Sequence, residues 1–140
     1  MSVDRTASEV TNAERALEAM THFRLAESAL QRNDLAQAER LAARAMTSDP
    51  DQVDYAALHV WIRATAAGDD DSAIEGIQTL TRLLARDADN ERVLLHRGRL
   101  LKRVGRLREA LRDLERLSSL NPRNKEAASE LRALKQRTAT

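Results

Sequence analysis

Apolar residues recur along this chain at spacings of three and four, the period of a helix with one buried face. The first stripe, Ala16, Ala19, Met20, Phe23, Ala26 and Leu30, follows Thr11-Asn12-Ala13-Glu14, where Thr11 can cap backbone amides while Glu14 reaches back to it. A helix is therefore predicted from about Thr11 to Gln31, with residues 1–10 disordered or frayed ahead of it. Asn33-Asp34 breaks the pattern and can cap a second helix carrying Leu35, Ala38, Leu41, Ala42, Ala45 and Met46. Asp49-Pro50 ends that helix, because proline disfavours helical backbone at the residue before it. A third helix runs from about Gln52 to Ala67 and closes on Gly68. Behind an acidic loop, Asp69-Asp70-Asp71, a second capping box of Ser72 and Glu75 opens a fourth with Ile74, Ile77, Leu80, Leu83 and Leu84. Val93, Leu94, Leu100, Leu101 and Val104 mark a fifth, stopped by Gly105. Leu107, Ala110, Leu111, Leu114 and Leu117 mark a sixth, stopped at Asn121-Pro122, and Ala127, Ala128, Leu131 and Leu134 a seventh that frays from Gln136. The predicted fold class is all-α, about seven helices in antiparallel pairs.

The helix pairs are similar to one another. Gly98, Leu101, Gly105, Ala110, Leu114, Leu117 and Pro122 in the third pair are matched in the first by Leu25, Ala26, Ala29, Ala38, Ala42, Ala45 and Pro50. The middle pair keeps Val60, Gly76, Leu80, Leu83 and Ala88 but lacks the proline. Gly76 to Ala110 is 34 residues and Ala38 to Gly76 is 38, so about four are inserted near Gly68 to Ser72. In these residues and this spacing the chain resembles the tetratricopeptide repeat (TPR) family, whose unit is about 34 residues. The resemblance covers about Ala19 to Pro122. It implies a right-handed superhelical stack forming one domain over 11–137, with repeats at about 19–52, 53–90 and 91–124, a capping helix at 125–137 and a tail at 138–140.

The same resemblance implies a concave groove, built from the first helix of each pair, that binds a peptide or helix of another protein. Carried over slot by slot, the groove-facing residues are Met20, Phe23, Arg24 and Glu27, then Asp54, Ala57, Leu58, Trp61 and Thr65, then Arg92, Leu95, His96, Arg99, Lys102 and Arg103. Phe23, Glu27, Leu58, Trp61, Arg92, His96, Arg99, Lys102 and Arg103 are the candidate partner contacts. Trp61 and Phe23 would serve as apolar anchors, and the basic residues would read acidic groups. Some members clamp the C-terminal carboxylate of chaperones with Lys and Asn. Here Arg24 and Leu58 stand where that clamp has Asn, and Met20 where it has Lys.

Composition narrows the function. Aromatics are 2% of the chain against 42% hydrophobic, so Leu and Ala must build the core. With 140 residues the chain has the length of one domain. There is no cysteine, hence no disulfide and no thiolate metal site, which suits a reducing, cytoplasmic setting. Residues 1–10 carry Asp4, Arg5 and Glu9 rather than the apolar stretch of a signal peptide. Net charge is +1, but residues 1–90 carry 9 basic and 16 acidic side chains and residues 91–140 carry 14 and 6, a bipolar distribution. His22, His59 and His96 fall on different slots of different repeats and do not converge as ligands would. The four glycines are isolated, so no loop cradles phosphate, and no serine sits beside a plausible base. The expectation is a non-enzymatic protein-interaction module, scaffold or co-chaperone-like adaptor, without cofactor or metal. Head-to-tail self-association through the bipolar charge is the alternative. RNA binding by the basic C-terminal face ranks below it, because Phe23, Tyr55 and Trp61 are remote from that face in sequence.

Overall fold

Four of the described helices begin on asparagine or aspartate. The computed structural model describes residues 3–139, with side chains from Thr11 onward. Among them are α1 (Val3–Gln31), α2 (Leu35–Ser48), α3 (Val53–Ala67), α4 (Asp70–Arg86), α5 (Glu91–Arg103), α6 (Leu107–Leu120) and α7 (Lys125–Ala139). Asp34 Oδ1 accepts from the Gln37 amide at 3.2 Å at the head of α2, and Asn90 Oδ1 from the Val93 amide at 3.0 Å at the head of α5. Asn124 Oδ1 does the same for the Ala127 amide of α7, also at 3.0 Å. Each cap satisfies an N–H group that a helix start leaves without an intrahelical acceptor. The chain leaves α3 through Gly68 and passes from α5 to α6 through Gly105, with φ of 76° and 84°. That left-handed backbone suits glycine, which has no Cβ to clash.

Three boundaries differ from the sequence expectation. Helix α1 starts at Val3, so residues 3–10 are helical rather than frayed, and Thr11 and Glu14 lie within the helix. A capping box marks a start only where the upstream residues leave the helix, and no glycine or proline precedes Pro50 to make them do so. Met1 and Ser2 fall outside the described residues. At α4 the cap is Asp69 rather than Ser72: its carboxylate accepts from the Ser72 amide at 3.2 Å and the Ser72 hydroxyl at 2.6 Å. Asp70 and Asp71 then join the first turn, where the helix dipole favours negative charge. Helix α7 continues through Ala139, and Thr140 lies outside the described residues.

The chain divides into two compact units, Met1–Ile62 and Arg63–Thr140. In the first, α1 and α2 pack as a pair. Its core joins Phe23, Ala26 and Ala29 of α1, Ala38, Leu41, Ala42 and Ala45 of α2, and Leu58 and Ile62 of α3. The Phe23 and Tyr55 rings meet with centroids 4.9 Å apart, tilted by 37°. In the second unit α5 packs on α4 and α6, while α7 lies against α6 and touches α5. The approach of α5 to α6 depends on Gly98, where a Cβ would lie 3.0 Å from Leu114 Cγ. Leu80, Leu94, Leu100, Leu114, Leu117 and Leu134 are fully buried there. None of the described helices is long and apolar enough to cross a membrane.

Candidate interaction surface

In the first unit, the residues expected to form an apolar contact surface separate into core and rim. Phe23 and Leu58 are buried in the alanine-rich core and offer a partner no surface, a correction to the expected groove lining. The cause is local: alanines at neighbouring positions leave space that the Phe23 ring fills beside Tyr55. Trp61 and Glu27 are half-buried. Met20 is exposed, and its Sδ accepts from Arg24 Nη2 at 3.4 Å.

In the second unit the basic residues of α5 share a face, but they do not stand as free cations. Arg99 Nη2 pairs with Glu126 Oε2 at 2.8 Å and its Nε with Glu130 Oε1 at 3.2 Å. Lys102 Nζ pairs with the same Glu130 carboxylate. Burial pushes Glu130 up, but the hydrogen bonds and charges of Lys102 and Arg99 outweigh it and hold the carboxyl below the usual glutamate range. Arg103 Nη1 donates to the Ala64 carbonyl at 3.2 Å, and Arg92 is half-buried. His96 is buried, a second correction. Burial, reinforced by the charges of Arg99 and Arg92, lowers its imidazole to about 3, so it is neutral at physiological pH and adds nothing to a basic face.

The pairing partners on α7 are what sequence reasoning missed. Glu126 and Glu130 are one helical turn apart, a spacing that presents two carboxylates to a neighbour, while Arg99 and Lys102 are spaced to meet them. A second ionic contact was also missed: Arg97 Nε and Nη2 bond to the two oxygens of buried Asp113 at 2.7 and 2.6 Å, and Nη1 reaches Thr81 Oγ1 at 3.3 Å. Among the described residues no group of three His, Cys, Asp or Glu is placed to hold a metal ion. Among the described side chains, the most exposed large apolar ones are Leu17, at 63%, and Leu25, at 48%, both on α1 and neither expected as a contact.

No protein-family model and no curated protein matches this chain. Solved structures do. The chain is similar to the first TPR domain of Spaghetti (RPAP3) bound to the HSP90 peptide SRMEEVD, at 19% identity over 89% of this chain and 96% of that one, with a TM-score of 0.69. It is similar to PilF of Pseudomonas aeruginosa at 24% identity, 90% and 56% coverage and a TM-score of 0.72. The Yersinia enterocolitica type III secretion chaperone SycD, in complex with a peptide of the translocator YopD, matches at 18% identity, 85% and 93% coverage and a TM-score of 0.61. Helices paired over small residues, with Gly98 against Leu114 and the Ala38-Ala42-Ala45 stripe on α2, agree with these likenesses, and the chain has the tetratricopeptide-repeat fold.

Proposed function

We propose that this chain is a protein-interaction module, a scaffold or adaptor that holds a peptide or helix of a partner and performs no chemistry of its own. The observation that carries this reading is the fold: two domains similar to this one, the RPAP3 domain and SycD, are solved with peptides bound. The absence of cysteine supports a reducing, cytoplasmic setting. With Phe23 and Leu58 in the core, Trp61 is the apolar anchor and Glu27 a polar contact. Arg92, Arg99, Lys102 and Arg103 read acidic groups on the partner. Arg99 and Lys102 do so in competition with Glu126 and Glu130.

Trp61 is the only tryptophan, so its emission reports directly on occupancy. The test is to pan a displayed peptide library against the full chain and titrate the selected peptides while following that emission. Selected peptides are expected to shift the Trp61 signal and to lose about 2 kcal/mol, roughly thirtyfold in affinity, on Trp61→Ala with circular dichroism unchanged. A library yielding no binder, or peptides that bind the Trp61→Ala chain equally well, overturns the reading.

A further inference from the structure

Among α4 to α7, the last helix is the least anchored. Its buried residues are Ala127, Leu131 and Leu134, three of fifteen, whereas α5 buries seven of thirteen. A helix at the end of a stack with so few apolar contacts is the part of a domain that opens first. Its polar contacts go to cations that the partner would read. Glu126 and Glu130 meet Arg99 at 2.8 and 3.2 Å, and Glu130 also meets Lys102. Each carboxylate is followed by a buried apolar residue, Ala127 or Leu131. The inner face of α7 is therefore a pair of carboxylates one turn apart beside an apolar stripe. Its outer face has the opposite charge. Lys125, Arg132, Lys135 and Arg137 are exposed, so α7 carries four basic residues against two acidic ones, and it borders α5, which carries five against one. The helix that neutralises the cations of α5 is itself cationic.

We propose that α7 is a displaceable latch, replaced on α5 and α6 by an acidic amphipathic helix of a partner protein that has the same inner face and lacks the outer bases. The inference rests on the reading that Arg99 and Lys102 recognise acidic groups, but not on Trp61 as an anchor. The exchange restores what it breaks. Incoming carboxylates take over Arg99 and Lys102, and incoming apolar side chains cover the surface left by Ala127, Leu131 and Leu134. Against the partner stands the tether, which holds α7 at an effective concentration on the order of millimolar. Loss of the outer bases, which repel the cations of α5, is what lets the partner overcome it. The α7 of a second copy has no such advantage, because it brings the same four bases and makes no contact that the resident helix lacks. Nor does the turn before α7 store strain that swapping would release. The Asn124 amide donates to the Asn121 carbonyl at 3.1 Å, the Arg123 amide to Asn121 Oδ1 at 3.2 Å, and no residue of 121–124 has a positive φ.

The probes are two labelled synthetic peptides of residues 121–139, one with the native sequence and one carrying Arg132→Glu, Lys135→Glu and Arg137→Glu. Both are titrated into the full chain at low salt and followed by fluorescence anisotropy. The acidic peptide is expected to bind at least about tenfold tighter than the native one, and to lose about tenfold when Glu126→Gln and Glu130→Gln are added to it. Leu134→Ala in the chain weakens the latch, so the acidic peptide binds that variant about tenfold tighter than the wild type. A helix that served only as a cap would give the opposite, since loosening it damages the surface beneath. In the wild-type chain saturated with acidic peptide, the amides of α7 lose protection from hydrogen exchange while those of α5 and α6 keep theirs. Protection of α7 that survives saturation, equal affinity of the two peptides, or an affinity that Leu134→Ala does not raise overturns the proposal. If Leu134→Ala unfolds the chain, the exchange measurement on the wild type decides alone. If α7 stays protected while library peptides shift the Trp61 emission, the latch falls and the interaction reading stands. If the acidic peptide displaces α7 while no library peptide depends on Trp61, only the Trp61 site falls.

Discussion

In the first unit the helices meet over alanine: Ala26 and Ala29 on α1 face Ala38, Ala42 and Ala45 on α2, none with any surface in water. In the second the core is richer in leucine, α5 approaches α6 closely at Gly98 against Leu114, and charged pairs tie α5 to α6 and to α7. The two arrangements fail in opposite ways. An alanine seam contributes little apolar area per residue and depends on proximity, so it tolerates removal of atoms better than addition. A leucine core with buried charge has more area to lose, and removing one charged partner leaves the other uncompensated.

The largest effect therefore belongs to the second unit. Asp113→Ala removes both charged hydrogen bonds of the partly buried Arg97 guanidinium, leaving it the Thr81 hydroxyl at 3.3 Å and the more distant charge of Glu109, and the expected loss of stability, read as a urea unfolding midpoint, is about 3 kcal/mol. Replacing both partners with apolar residues, Arg97→Met with Asp113→Leu, is expected to recover most of that loss, since a well-packed apolar pair is often as stable as a buried ionic one. A midpoint unmoved by Asp113→Ala would mean that solvent already supports Arg97, and the contrast between the units would shrink to side-chain size. In the first unit, Ala42→Leu is expected to cost about 1 to 3 kcal/mol by overpacking, in spite of the high helix propensity of leucine. A stabilised Ala42→Leu chain would show that the alanine seam holds unused space.

This contrast also separates what could be read in advance from what could not. The ends of α2, α3, α5 and α6 include those that follow from Asp34, Pro50, Gly68, Gly105 and Pro122, because caps, left-handed turns and proline act within a few residues of themselves. The start of α1 was not legible, since Thr11 and Glu14 fit a helix interior as well as a cap when nothing upstream breaks the helix. The candidate contacts were only partly legible. A repeat slot states which way Phe23, Leu58 or His96 faces, but depth depends on the size of its neighbours, and beside the alanines of the first unit Phe23 and Leu58 sink. Pairing of Arg99 with Glu126 and Glu130 joins residues far apart in sequence, so no local pattern announces it.

Acid distinguishes the units next. The His96 imidazole is held at about 3 when folded, against the ordinary histidine value of 6.5, so folding keeps it neutral while the unfolded chain takes up a proton below 6.5. Its depressed value means that the stability is present above 6.5 and is lost as pH falls from there toward 3. At pH 5 the loss is about 2 kcal/mol, seen as a lower urea midpoint than at pH 7. Glu130, whose value lies below 4.5, also favours the folded state only above its titration, but its loss begins at lower pH and leaves the window from 6.5 to 5 to His96. His96→Leu is expected to flatten the dependence within that window. A slope that persists would assign it to another group.

The smallest effect on stability carries information about binding. Glu130→Gln removes the carboxylate shared by Arg99 and Lys102, all three of them partly exposed, so the expected cost is less than about 1 kcal/mol and falls further at high salt. The same change leaves two cations on α5 less neutralised. If Arg99 and Lys102 belong to the surface that reads acidic partners, the affinity of an acidic peptide rises in Glu130→Gln while that of a neutral peptide stays constant, and the difference closes as salt is added. If both affinities are unchanged, the cations of α5 serve only to hold α7 in place, and partner recognition belongs to the apolar, alanine-cored unit.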